Sequence, residues 1–195
     1  MSVRRLAQLA AALAGLAAAL SARAAFDPFV VRNFRVEGAQ RIAEGTIYRH
    51  FTSKQQLVNE LYRAAQRWAT KLVQDAAHDR DAGAARAQLT AIAHGLIEGA
   101  AHETAVVKLG LLERLDGVLD DESRRTRRDF QVALERVVAE GKAQNAVRAG
   151  AVEIWAAVWL ATLSHALEKV VAGDWKPPDT GVRLIIDAAW RAISV

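Results

Sequence analysis

From residue 53 to the end of the chain, apolar residues recur at the three- and four-residue spacing of amphipathic helices. The pattern predicts six helices, over residues 53–77, 82–101, 103–115, 120–141, 151–172 and from 179 onward. The breaks between them contain turn-forming residues, such as Asp116-Gly117 and Pro177-Pro178. We therefore expect an all-α fold, a helical bundle, for this part of the chain.

The fifth predicted helix is apolar around most of its circumference, with Trp155, Trp159 and Leu163 among its large side chains. A helix of this kind must be buried on more than one side. The last helix also has a broad apolar face, which includes Trp190. The fifth helix is therefore expected to contact neighbours on more than one side.

The first 24 residues have the pattern of a secretory signal. Arg4 and Arg5 precede an apolar stretch over residues 6–20, and residues 22–24 supply the small side chains of a cleavage site. The stretch is shorter than the ~20 residues of an ordinary transmembrane helix. The alternative interpretation is an alanine-rich helix that extends a soluble domain.

Residues 25–43 predict one short strand. Val30, Phe34 and Val36 alternate on one face, Pro28 precedes the run and Gly38 ends it. This segment resembles the start of the first POTRA repeat in outer-membrane protein assembly factors. That resemblance, which covers only about the first 42 residues, implies a periplasmic module that binds unfolded chains by strand addition.

Residues 45–57 read GTIYRHFTSKQQL, which predicts a short helix, a break and the start of a long helix. Ile47 and Phe51 are four apart and can pack inward. The side chains left for a polar partner are Thr46, Tyr48, Arg49 and His50. Ser53 and Gln56 form a capping box for the next helix. Lys54 lies in its first turn, where it opposes the helix dipole, so a phosphate contact explains it better than helix stability does.

This motif closely resembles the recognition-helix signature of TetR/AcrR-type transcriptional regulators; an ordinary helical hairpin is the alternative. The resemblance implies DNA binding through Thr46, Tyr48, Arg49, His50 and Lys54. Residues 56–195 would then form a ligand-binding and dimerisation domain with an unidentified small-molecule effector. In that family the last two helices pair with their copies, which implies a homodimer interface at Trp155, Trp159, Leu163 and Trp190. A monomeric core helix is the alternative.

The two resemblances conflict, because regulators of this type have two helices before the recognition helix, where this chain predicts a signal and a strand. We therefore expect a fusion near residues 41–45, with residues 44–55 as a truncated helix-turn-helix and DNA binding that is weak. The alternatives are an exported POTRA-type fragment and a non-functional fusion product. The regulator resemblance implies the cytoplasm, and residues 1–24 imply the periplasm.

The composition and the motifs of the chain limit the kinds of active site that we expect. The chain has no cysteine, and it contains no nucleophile elbow, phosphate-binding glycine loop or paired-histidine zinc motif, so we expect no enzyme, cofactor or metal site. The net charge of +4 and the pI of about 9.8 permit nucleic-acid binding without requiring it. Two charged sets allow both a binding role and a plain surface role: Glu98, Glu103 and Glu113, and the arginines Arg124, Arg125, Arg127 and Arg128.

Overall fold

The computed structural model describes residue 51, residues 53–78 and residues 84–195. The predicted signal segment (1–24), the predicted strand (25–43) and most of the recognition motif lie outside these residues. The described residues form six α-helices: α1 Lys54–His78, α2 Ala85–His102, α3 Thr104–Val107, α4 Asp121–Ala143, α5 Val152–Val171 and α6 Thr180–Ile193. The all-α prediction is confirmed.

The predicted third helix is wrong in its length. It was expected to run over residues 103–115, but α3 is a single turn that passes into one turn of π-helix, Lys108–Leu112. The Glu113 N–H donates to the Lys108 carbonyl at 2.9 Å, which closes the wider π turn. The chain then leaves the helix and passes through the predicted turn at residues 116–118.

The core lies between α1, α2, α4, α5 and α6. Helix α2 crosses its centre and buries Leu89, Ile92, Leu96 and Ile97 completely or almost so. Gly99 of α2 lets the indole of Trp68 on α1 lie against the helix, since a Cβ there would come within 2.4 Å of the ring. The helices are therefore in close contact across the bundle.

Helix α5 is the one described helix that is long and apolar enough to cross a membrane by length and composition. The core helix of a bundle meets the same two conditions. Its inward face is buried at the following positions: Ala156, Trp159, Leu163, Ala166, Leu167 and Val170. On its other side α5 exposes apolar residues, of which Ile154 is the largest and is 55% exposed.

Candidate nucleic-acid interface and dimer surface

Lys54 is the residue of the predicted DNA-binding set that the structure describes; Thr46, Tyr48, Arg49 and His50 lie outside the described residues. It is the first residue of α1 and its side chain is exposed. Just before it, the Ser53 hydroxyl accepts a hydrogen bond from the Gln56 N–H at 3.1 Å, which confirms the Ser53 half of the predicted capping box. The recognition motif therefore leads directly into a capped helix.

The first turns of α1 are hydrogen-bonded to the segment before α4. The buried Asn59 amide donates to the Val118 carbonyl at 3.0 Å, and its oxygen accepts from the Asp120 N–H at 2.8 Å. Gln55 donates to the same Val118 carbonyl at 3.1 Å. These bonds give partners to the Val118 carbonyl and the Asp120 N–H, two backbone groups of the segment before α4. They also fix the start of α1 relative to residues 118–120.

One turn further on, Arg63 connects α1 to the start of α4. Its side chain is 5% exposed and donates to both Asp120 carboxylate oxygens, at 3.0 and 2.9 Å. It also bonds the Ser123 hydroxyl at 3.2 Å and pairs with Glu60 at 2.7 Å. Such charge-assisted bonds are stronger than neutral ones and hold both partners in a defined geometry.

Asp120 is also the N-cap of α4, where its carboxylate accepts from the Ser123 N–H at 2.8 Å. This backbone hydrogen bond, more than any other contact, lowers the pKa of Asp120 to about 2, and the Ser123 hydroxyl and the Arg63 guanidinium add to the effect. The carboxylate is therefore ionised wherever the protein is folded near neutral pH.

The π turn is held against α1 by Gln66, whose amide donates to the Gly110 carbonyl at 2.6 Å. A Cβ at Gly110 would meet the Ala65 Cβ at 2.5 Å, so the turn lies directly on the helix. Together, Asn59, Arg63 and Gln66 form what we call the α1 latch. The α1 latch was not predicted, although three polar residues at positions 59, 63 and 66, beside an apolar face, were a visible signal.

Next to the α1 latch, the hydroxyl of Tyr62 is buried, and burial raises its pKa above the ordinary value while the nearby Arg127 guanidinium opposes that shift. Arg127 pairs with Asp116 at 2.7 Å, and Arg124 lies 3.4 Å from Asp121. Because two members of the arginine set already face acids, the solvated-surface interpretation of that set is favoured.

The acidic set also lies at the surface. Glu98 is exposed and lies 3.5 Å from His102, and Glu113 lies 3.8 Å from Lys108. Glu103 is half-buried at the end of α2. These positions favour the surface-charge interpretation over a shared binding site for a cation.

The four residues predicted for the dimer interface fall in different places. Trp159 is 1% exposed and Leu163 is 0% exposed within a single chain, so both pack in the core and a second copy cannot reach them. Trp155 is half-buried, with the Arg148 guanidinium 5.5 Å from its ring centre. Trp190 is half-buried and lines a groove between α2 and α6.

Other residues of α5 and α6 point away from the core. Ile154 is 55% exposed, and Ala157 and Ala161 share its face of α5. Leu184 is 64% exposed, and Ala188 follows one turn later on α6. We call these five residues the outer apolar face. A groove of about 270 Å³ between α4 and α5 opens beside Ala157 and Ala161.

Several solved structures with a similar arrangement of helices are described as TetR-family regulators. One from Vibrio parahaemolyticus aligns with a TM-score of 0.57 over 78% of this chain and 82% of its own, at 20% identity. One from Thermus thermophilus gives 0.59 over 76% and 81%, at 16% identity. One from Rhodococcus gives 0.61 over 98% of both chains, at 16% identity.

No protein-family model matches the sequence, and no curated protein matches it either. None of the comparisons supports the predicted signal peptide or the POTRA resemblance of residues 1–42. At sequence identities of 16–20%, the structural similarity shows the fold alone. The chain has the all-α fold found in TetR-family transcriptional regulators.

Proposed function

We propose that the protein is a homodimeric, ligand-responsive DNA-binding transcriptional regulator of the TetR type that acts in the cytoplasm. The observation that carries the proposal is the position of the recognition motif. Residues 45–57 end on the first turn of α1, and α1 belongs to a bundle with the fold of such regulators. An exported POTRA-type module finds no support in the comparisons.

In this proposal, Thr46, Tyr48, Arg49 and His50 meet the major groove or its phosphates, and Lys54 holds the DNA backbone. Two copies would read half-sites about one helical turn apart, ~34–36 Å. Lys54 is suited to its role because it is exposed at the end of α1 that follows the motif.

The α1 latch suggests how the remainder of the chain would influence DNA binding. Asn59 and Arg63 tie the start of α1 to the segment before α4, and Gln66 ties its middle to the π turn. A small molecule that favours one arrangement of these elements would shift the position of α1. Because α1 follows the recognition motif, the spacing of two recognition helices in a dimer would change with it.

Residues 25–43 read as a strand rather than as supporting helices, so we expect weak binding with little sequence preference. A recognition helix of seven or so residues is too short to be stable alone. Phosphate contacts that survive without base readout give binding that depends steeply on salt. This is the expected behaviour of the unmodified chain.

The test is selection of bound duplexes from a random DNA pool, followed by anisotropy titration at several salt concentrations. Lys54→Gln should weaken binding to all duplexes alike and reduce the salt slope by about one phosphate contact. Arg49→Ala should weaken binding as well. Lys71→Gln is the matched control, since Lys71 is exposed on the same helix and pairs with Asp75.

Absence of DNA binding by the folded protein at low salt would overturn the proposed function. Tight, sequence-selective binding at physiological salt would instead contradict the interpretation of residues 25–43 and show that they support the recognition helix. Equal effects of Lys54→Gln and Lys71→Gln would remove Lys54 from the interface.

A further inference from the structure

A second groove, separate from the outer apolar face and the α1 latch, lies between the first half of α2 and α6. It has a volume of about 190 Å³ and is lined from α2 by Arg86, Thr90 and His94. From α6 it is lined by Arg183, Ile186, Asp187 and Trp190. Two helices that are far apart in sequence therefore bring two guanidinium groups, an imidazole, a hydroxyl and an indole to one small cavity.

The charges in this groove do not cancel. Arg86 lies 3.1 Å from the Asp187 carboxylate, and Arg191 pairs with the other oxygen of the same carboxylate. Arg183 instead donates to neutral acceptors, the Pro178 carbonyl at 3.3 Å and the Thr180 hydroxyl at 3.1 Å. The groove is thus lined by two guanidinium groups and one carboxylate, and that carboxylate is already paired with Arg86 and Arg191 rather than with Arg183. The charged lining is therefore positive overall.

The groove also has an apolar wall. Ile186 is almost fully buried, and the half-buried Trp190 presents part of its indole to the cavity. A purely inorganic anion would make no use of this surface, whereas a ligand with an apolar body would bury against it. The planar guanidinium of Arg183 matches the geometry of a carboxylate, which it can bind through two parallel hydrogen bonds.

We propose that this groove binds a small organic carboxylate with an aromatic or branched aliphatic body. The carboxylate bonds Arg183, and the body packs on Trp190 and Ile186. The cavity volume of about 190 Å³ limits the body to roughly the size of one aromatic ring, since pockets that hold drug-sized ligands measure about 300–1,000 Å³.

This proposal names a chemical class for the effector of the proposed function. The effector role of the ligand rests on the proposed function, but the binding of the ligand does not. Leu184 and Ala188 of the outer apolar face lie on the same helix as Arg183, one and five residues further on. A ligand in the groove therefore touches the helix that would carry the dimer contact. Binding itself requires neither DNA nor a dimer, so the two proposals fail separately.

Titration calorimetry of the full-length protein with sodium benzoate tests the proposal. We expect saturable binding of one benzoate per chain, and binding at least about tenfold weaker for Arg183→Gln, because a charge-assisted hydrogen bond is lost. Arg183→Lys should lie between the two, since it keeps the charge and loses the fork. Arg136→Gln, at an exposed arginine of α4 outside the groove, should bind like the unmodified chain.

Three further ligands separate the parts of the site. Benzyl alcohol should bind at least about tenfold more weakly than benzoate and benzylammonium should not bind, because each lacks the anion. Inorganic phosphate should bind more weakly than benzoate because it lacks the apolar body. The proposal is overturned if benzoate shows no saturable binding up to ~10 mM, a weak affinity by any scale. It is also overturned if Arg183→Gln, melting like the unmodified chain, binds benzoate equally well, or if phosphate binds as tightly as benzoate.

Discussion

Arg63 is a buried cation whose partners come from two elements. It bonds Asp120 and Ser123 at the start of α4 and Glu60 on its own helix. Arg63→Met keeps much of the side-chain length but leaves these polar partners without their donor. We expect a loss on the order of 2 kcal/mol in the free energy of unfolding, since hydrogen bonds to charged groups contribute roughly 1.5–3 kcal/mol.

Urea denaturation measures this loss. Arg67→Met is the control, because Arg67 is exposed on the same helix and lies 3.6 Å from the exposed Glu122. Such a surface pair contributes at most about 1 kcal/mol. If both variants lose the same small amount, the Arg63 contacts do not hold α1 to α4.

Asp120 adds a dependence of stability on pH. Its pKa is lowered to about 2 in the folded chain, from the ordinary value of 3.8. A carboxyl with a depressed folded pKa contributes stability that is present above its unfolded pKa and is lost as the pH falls toward its folded pKa. Asp120→Asn retains a good N-cap and loses the ion pair. The unmodified protein should therefore melt at a higher temperature than Asp120→Asn at pH 7. The two melting temperatures should converge between about pH 4 and pH 2. A constant difference over that range would contradict the assignment.

At the same scale, the sequence predicted contacts between residues close together along the chain. The Ser53 cap and the acidic start of α4 could be predicted because both partners lie within one helical turn. The α1 latch could not be predicted, since Asn59 and Arg63 meet partners about 60 positions away. Their polar character was visible, but a polar residue beside an apolar stripe usually faces water.

The π turn at residues 108–112 depends on a glycine. Gly110 lies on Ala65 so closely that a Cβ would meet the Ala65 Cβ at 2.5 Å, and its carbonyl accepts from Gln66. Neither residue has a flexible end that could move aside. Gly110→Ala should therefore lower the free energy of unfolding by about 1–3 kcal/mol, as expected for overpacking, despite the higher helix propensity of alanine.

Gly117→Ala is the matched control, because a Cβ at that position meets no atom within 4 Å. Thermal and urea unfolding should show a change within about 0.5 kcal/mol there. A fully stable Gly110→Ala would mean that the turn can move off α1 at no cost.

Element boundaries were predicted well where the apolar pattern is long and regular. Helices α1, α4 and α5 begin and end within about two residues of the predicted limits. The predicted length of the third helix was wrong because the spacing of the apolar residues within 103–115 fits both an α-helix and a π turn. Periodicity does not distinguish the two over so short a run. Close packing of Gly110 on α1 accompanies the π form.

At the scale of the whole molecule, the sequence showed that α5 is apolar on most sides but not which side faces a neighbour. Trp159 and Leu163 were expected at the dimer interface and lie in the core instead. Large side chains fill the space between helices of one chain, and the side that faces outward carries Ile154, Ala157 and Ala161. Small residues allow two helices to approach closely. A substitution at Trp159 would therefore test folding rather than association.

The outer apolar face is where we expect two copies to meet. Leu184 and Ile154 are large, apolar and more than half exposed in the single chain. An exposed apolar surface does not stabilise a monomer and is typical of an interaction site. Light scattering should give twice the chain mass for the unmodified protein. Leu184→Glu combined with Ala161→Glu should give one chain mass with an unchanged helical spectrum, because paired carboxylates in an isologous interface would face their own copies.

Val132→Glu is the control for this experiment. Val132 is apolar and 52% exposed, but it lies on α4 rather than on the outer apolar face. A charge there should leave the mass at two chains, since no partner surface is disturbed. A double variant that remains dimeric would place the interface elsewhere on the molecule, and an unmodified chain that is monomeric at all concentrations would remove the dimer from the proposed function. A monomer produced by Leu184→Glu and Ala161→Glu should also bind DNA with a smaller salt slope, because one recognition segment contacts fewer phosphates than two.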